Sequence, residues 1–150
     1  MLYFEDLESG QVLEFGGHTV TGGEMVDFAR RFDPQPFHVD EQAAAEGPFG
    51  GLVASGWHTA AIFMRMYVDA ILSNAASMGS PGVEELRWTK PVRPGDTLRG
   101  RARVLEARAS STHPERGTIR SKLECLNQDD EVVMTMLARG FIRRRGAGGR

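Results

Sequence analysis

The sequence predicts an α+β domain in which one antiparallel sheet is laid around a single apolar helix. Three features of the chain predict it. From Val53 to about Leu72 the residues are apolar nearly all round, the composition of a buried helix. Before that run stand short helical segments. After it, apolar and charged residues alternate with the period of strands, and helices grouped ahead of strands give an α+β layout rather than parallel βαβ units.

Taken in order, Leu2-Tyr3-Phe4 begin an arm expected to lie on the domain. Val12 to Val20 is β-rich and reads as a strand kinked at Gly16-Gly17. Thr21 and Glu24 have the spacing of a capping box and open a helix with Met25, Phe28, Ala29 and Phe32 on one face. That helix delivers Asp33. Asp33-Pro-Gln-Pro-Phe-His38 is expected to be extended or turning, because each proline fixes its own φ and disfavours helix at the residue before it. Asp40 then caps a short helix through Ala43-Ala44-Ala45, ended by Gly47-Pro48.

Gly50 to Gly56 leads into the central helix, and Asn74 to Gly82 reads as a small-residue, mobile loop. Strands follow around Leu86–Val92, Leu98–Val104 and Ile119–Cys125, with a long last strand from Val132 to Arg143. Pro94-Gly95-Asp96 is expected to turn the first pair of these strands, and Asn127 to Asp130 the last. The domain is expected to span 1–142, and 143–150 to be a frayed basic tail.

At 150 residues the chain is the length of one domain, and a formal net charge of -2 gives no field for binding nucleic acid. Cys125 is the only cysteine, which excludes an internal disulfide and fits a reducing compartment. No signal-peptide pattern opens the chain, and the apolar run stops at Arg65, short of a membrane span. A cytoplasmic location is expected.

Chemistry concentrates at Asp33 and His38. A carboxylate and an imidazole five residues apart across a bent backbone are able to converge on one point, with pKa values suited to proton transfer. His58, in the first helical turn, is disfavoured as a cation by the helix dipole and is expected to be a neutral packing histidine. His18 and His113 read as surface residues. Asp33, His38, Asp40 and His58 are metal-ligand types, but nothing in their spacing fixes a coordination geometry, and no metal is expected.

Phe28 through Ala44, then Gly51-Leu-Val-Ala-Ser-Gly-Trp-His58, and later Lys90-Pro-Val-Arg-Pro-Gly-Asp96, together resemble the MaoC-like dehydratases, relatives of the (R)-specific enoyl-CoA hydratases. The resemblance covers most of the chain and implies a hot-dog fold. It also implies reversible hydration of a trans-2-enoyl thioester to the (R)-3-hydroxyacyl thioester, part of fatty acid metabolism. By position, Asp33 and His38 would be the catalytic pair, and the Gly56 amide would polarise the thioester carbonyl. Such an amide suits the enolate charge that hydration builds.

Ser55, Phe37 and Trp57 are the neighbouring candidates for substrate contact. Lys90 and Arg93, with Arg87, are candidates for coenzyme A phosphates, since a diphosphate needs compensating donors. No cofactor is implied beyond the acyl-CoA or acyl-carrier-protein thioester itself. A homodimer is expected, because the sheet leaves an edge open.

Three positions depart from the best-known hydratases. Gln35 stands where they have Asn, Phe32 where they have Gly, and Met64 where they often have Ser. These departures point to a different acyl substrate, and keep open a hot-dog thioesterase and a non-catalytic acyl-thioester-binding subunit.

Overall fold

The computed structural model describes residues 1–147. Five antiparallel strands form one sheet in the order β1-β3-β4-β5-β2. They are β1 (Val12–Thr19), β2 (Gly82–Trp88), β3 (Thr97–Ala109), β4 (Arg116–Leu126) and β5 (Val132–Arg143). The helices α1 (Gly22–Phe32), α2 (Pro36–Val39), α3 (Glu41–Glu46) and α4 (Gly56–Ala70) all fall between β1 and β2 in sequence.

Helix α4 is the axis of the fold. Ile62, Phe63 and Met66 are buried, in one core with Leu98 and Ala102 of β3, Leu123 and Cys125 of β4, and Met134 and Met136 of β5. Phe63 is wholly buried, and truncation of such a ring typically costs about 3–5 kcal/mol. Phe15 of β1 packs edge-on to Phe63 and stacks on Tyr67, with centroids 5.6 Å away in each case. The register of β1 on β3 slips between Phe15 and His18, where Gly16 takes φ +103°. A Cβ there would meet the Met66 sulfur at 2.6 Å, so glycine lets the strand bend against the helix.

The local signals place α1 and α3. Thr21 Oγ1 accepts from the Glu24 amide while Glu24 reaches back to the Thr21 amide, the reciprocal cap expected. Asp40 accepts from the amides of Gln42 and Ala43 at the start of α3. The N-terminal arm lies on the domain, with Phe4 packed against Val104, Ile119 and Ile142.

Several expectations are corrected. Residues 36–39 form one helical turn, since Pro36 occupies its first position, where no backbone N–H is needed. Phe32 is turned off the buried face of α1 and is 66% exposed. Helix α4 begins at Gly56, while Leu52 to Ser55 are buried but not helical. The third of these extended residues is held by Ala54 N–H donating to Val92 O, as Val53 N–H donates to Phe37 O.

The strand near Leu86 ends at Trp88, leaving Val92 in a buried loop, and it does not pair with β3. It crosses to the far edge beside β5, so Pro94-Gly95-Asp96 does not close a hairpin. That turn docks on the end of β1 through Gly95 N–H to Val20 O and Val20 N–H to Asp96 O. The 74–82 segment is pinned by bridges of Ala75 to Leu2 and Ser77 to Ile142. Arg143 closes β5, and Arg144 and Arg145 pair with Glu5 and Asp6, so the chain is tied down past 143. Residues 148–150 of the expected tail lie outside the described residues.

Candidate active site

Asp33 is the C-cap of α1, its N–H donating to Ala29 O. The following turn brings His38 back beside it, with His38 Nε2 3.3 Å from Asp33 Oδ2. The other ring nitrogen, Nδ1, lies 2.7 Å from Val53 O. A carbonyl only accepts, so Nδ1 carries the proton and donates, and Nε2 is the nitrogen presented to Asp33.

Each carboxylate oxygen of Asp33 has its own donor. Gln35 Nε2 donates to Oδ1 at 2.7 Å and Ser55 Oγ donates to Oδ2 at 2.7 Å. Burial opposes the charged form of Asp33, but these two donors and the His38 charge outweigh it, and the carboxyl lies below its ordinary 3.8. Asp33 is therefore a carboxylate at neutral pH.

A cavity of about 270 Å³ opens beside the pair. His38 lines it together with Phe37, Phe49, Val53, Ala54, Gly56, Thr59, Trp88 and the loop from Thr89 to Val92. Asp33 is not itself among the residues lining this cavity. Gly56 is the first residue of α4, whose 15 residues aim the positive end of their dipole at the site. The Ser55 carbonyl takes the amides of His58 and Thr59, and the Gly56 N–H has no acceptor among the described residues.

The structure brings together Asp33, His38, Gly56, Ser55 and Phe37, places Lys90 on the same cavity, and separates the rest. Ser55, wholly buried, touches Asp33 and acts as its support. Trp57 is 58% exposed and off the cavity wall. Lys90 reaches the wall but is ion-paired with Glu131, while Arg93 lies off it, donating to the Phe49 carbonyl at 2.6 Å. Arg87 pairs with Glu85.

His58 is buried against Phe28, ring centroids 4.7 Å apart, with Nδ1 unpartnered. Burial lowers its pKa below 6.5, with Glu24 opposing and His18 reinforcing the shift. His18 itself pairs with Glu24 at 2.9 Å. The sequence reading missed Thr59 and Trp88 as wall residues. Thr59 was findable from helical spacing, being three residues beyond Gly56 on one face.

A sheet wrapped round a helix, with an acid and an imidazole at the helix's N-terminal end, defines a hot-dog protein of the hydratase type. The MaoC like domain family matches residues 6–124, and the chain belongs to that family. It is 43% identical to the MaoC-like dehydratase from Rhodospirillum rubrum, whose solved structure gives a TM-score of 0.90 over 97% of this chain and 99% of that one. It is 33% identical over 139 residues to the 3-hydroxybutyryl-CoA dehydratase of Methylorubrum extorquens, covering 89% of this chain and 80% of that protein. The R-hydratase PhaJ1 from Pseudomonas aeruginosa shares the fold, with TM-score 0.74 and 24% identity over 96% of this chain and 87% of that one.

Proposed function

We propose that the protein is a hydro-lyase that reversibly hydrates a trans-2-enoyl thioester to the (R)-3-hydroxyacyl thioester. The observation that carries this reading is the Asp33 and His38 pair, 3.3 Å apart beside a cavity that also presents the Gly56 amide. Water held by the pair loses a proton to it as the water oxygen bonds to C3. Electron density moves from the C2=C3 bond toward the thioester oxygen, where the Gly56 N–H and the α4 dipole stabilise the enolate. The pair then returns a proton to C2. Protons and water balance within this cycle, so the reaction is assigned no metal or redox cofactor.

Lys90, at the cavity wall and paired with Glu131, and Arg93, held by the Phe49 carbonyl, would each have to give up that partner to meet the diphosphate of coenzyme A. The Phe32, Gln35 and Met64 departures fit a hydratase. Gln35 donates to Asp33, as an amide should there, whereas Phe32 and Met64 lie off the catalytic cavity. A homodimer completes the reading. Strand β2 leaves one sheet edge open, and Val83 on it joins Met64 and Val68 of α4 in exposing apolar surface. Among the described residues no helix is long and apolar enough to cross a membrane.

The test is loss of enoyl-thioester absorbance with crotonyl-CoA, comparing the wild type with Asp33→Ala and His38→Ala. Removing either partner should cost at least about 10²-fold. Equal rates in all three would remove the assignment, and release of free thiol instead would make the protein a thioesterase. Binding without turnover would make it a non-catalytic subunit.

A further inference from the structure

We infer that Thr59 is a second donor to the substrate's thioester oxygen, beside the Gly56 amide, an inference that rests on the hydratase reading above. Polar side chains on the catalytic cavity come from His38, Thr59, Trp88, Thr89 and Lys90. His38 is held by Val53 O and Asp33, Thr89 Oγ1 donates to Val132 O at 2.7 Å, and Lys90 pairs with Glu131. Trp88 is 43% exposed, which leaves its N–H to water. Thr59 differs from all of these. It is only 2% exposed, and its hydroxyl makes no hydrogen bond among the described residues, not even the bond to the carbonyl four residues back that Ser73 makes to Asp69. The fully enclosed, unpartnered side-chain atoms among the described residues are His58 Nδ1 and Arg116 Nε. The Thr59 oxygen is not one of them, so its small accessible area opens on the cavity that Thr59 lines. A hydroxyl so buried is costly until a ligand completes its hydrogen bond.

Helix geometry sets what this hydroxyl reaches. Side chains of an α-helix lean toward its N-terminus and cover the turn before their own Cα, so Thr59 leans over Gly56, three residues earlier on the same face. Gly56 has no side chain to fill that space. A Cβ there would fall 2.3 Å from Cε2 of the Trp88 indole, so glycine is what admits this packing. Other backbone donors at this corner are committed: the amides of Val53, Ala54 and Thr59 donate to the carbonyls of Phe37, Val92 and Ser55. The Gly56 N–H therefore meets one lone pair of an oxygen placed beside it, and the Thr59 hydroxyl is the donor in place for the second. As water adds at C3 and charge builds on that oxygen, the hydroxyl bond strengthens while its proton stays on Oγ1.

The experiment compares wild type, Thr59→Val and Thr59→Ser in hydration of crotonyl-CoA and in the infrared carbonyl band of bound butyryl-CoA, which has no double bond to hydrate. Valine keeps the branched shape and removes the oxygen. Thr59→Val should lower kcat by about 10²-fold, the low end of the loss on removing one oxyanion donor, with KM nearly unchanged because the bond counts most in the transition state. Thr59→Ser, which keeps the hydroxyl, should retain most of the rate. The bound carbonyl band should lie at lower frequency in wild type and Thr59→Ser than in Thr59→Val, since a hydrogen bond weakens the C=O bond. Thr59→Val should unfold at the wild-type Tm or above it, because it loses a buried hydroxyl that no protein group satisfies. Wild-type kcat in Thr59→Val, an identical carbonyl band in all three proteins, or a lowered Tm in Thr59→Val would each overturn the assignment. Absence of hydration by the wild type would instead overturn the hydratase reading, and this inference with it.

Discussion

Replacing Ser55 with alanine removes one oxygen from a wholly buried site and leaves Asp33 Oδ2 without its 2.7 Å donor. A hydrogen bond to a charged group contributes about 1.5–3 kcal/mol, so the variant should lose about that much stability at neutral pH. For a domain of this size each kcal/mol moves Tm by about 2–4 °C.

The sign of the pH dependence follows from the Asp33 pKa. Its folded-state value is depressed, so the stability it contributes is present above the unfolded value near 3.8 and is lost as pH falls through the folded value. The Tm gap between wild type and Ser55→Ala should be full at about pH 7 and narrow below about pH 4. In turnover, the acid limb of the pH profile should move to higher pH, because Asp33 without that donor is easier to protonate. Thermal unfolding followed by circular dichroism at both pH values reads the first effect. A Tm gap of the same size at both would refute a role for Ser55 in holding the charged carboxylate.

Gly56→Ala should displace the Trp88 ring, costing about 1–3 kcal/mol in a chemical-denaturation measurement and lowering turnover more than about tenfold. His58 is held neutral by burial, so as pH falls below 6.5 the unfolded chain takes up a proton that the folded one does not, and stability drops. His58→Leu should remove that part of the decline, seen as a shallower fall in Tm between about pH 7.5 and 5. The wild type should sediment as a dimer, and Val83→Lys, on the open edge of β2, should shift it toward monomer.

Much of the fold was legible because its signals are local. The Thr21 and Glu24 box, the Asp40 cap and the period-two alternation of Leu98, Ala102 and Val104 each depend on residues within a few positions. Strand pairing was less so. Pro94-Gly95-Asp96 looks like a hairpin turn, yet its partner is the end of β1, some 75 residues away by sequence separation of Val20 and Gly95.

The site divides in the same way. Asp33 and His38 are five residues apart, and the chemistry of the segment marks them. Ser55 is 22 residues from Asp33, and no local pattern says that its hydroxyl turns to the carboxylate rather than to substrate. Of two tryptophans, the one adjacent to Gly56 in sequence faces outward and the distant one covers it. Side-chain direction at a helix start depends on where the helix begins, and α4 begins at Gly56, not Val53.

The decisive measurement is turnover of crotonyl-CoA in ¹⁸O-labelled water, with the product read by mass spectrometry for the position of the label. If water adds where Asp33 and His38 hold it, the isotope appears in the hydroxyl at C3 of an intact (R)-3-hydroxyacyl thioester, and Asp33→Ala yields almost none. Label in a free carboxylate, or equal labelling by the Asp33→Ala protein, would contradict this chemistry.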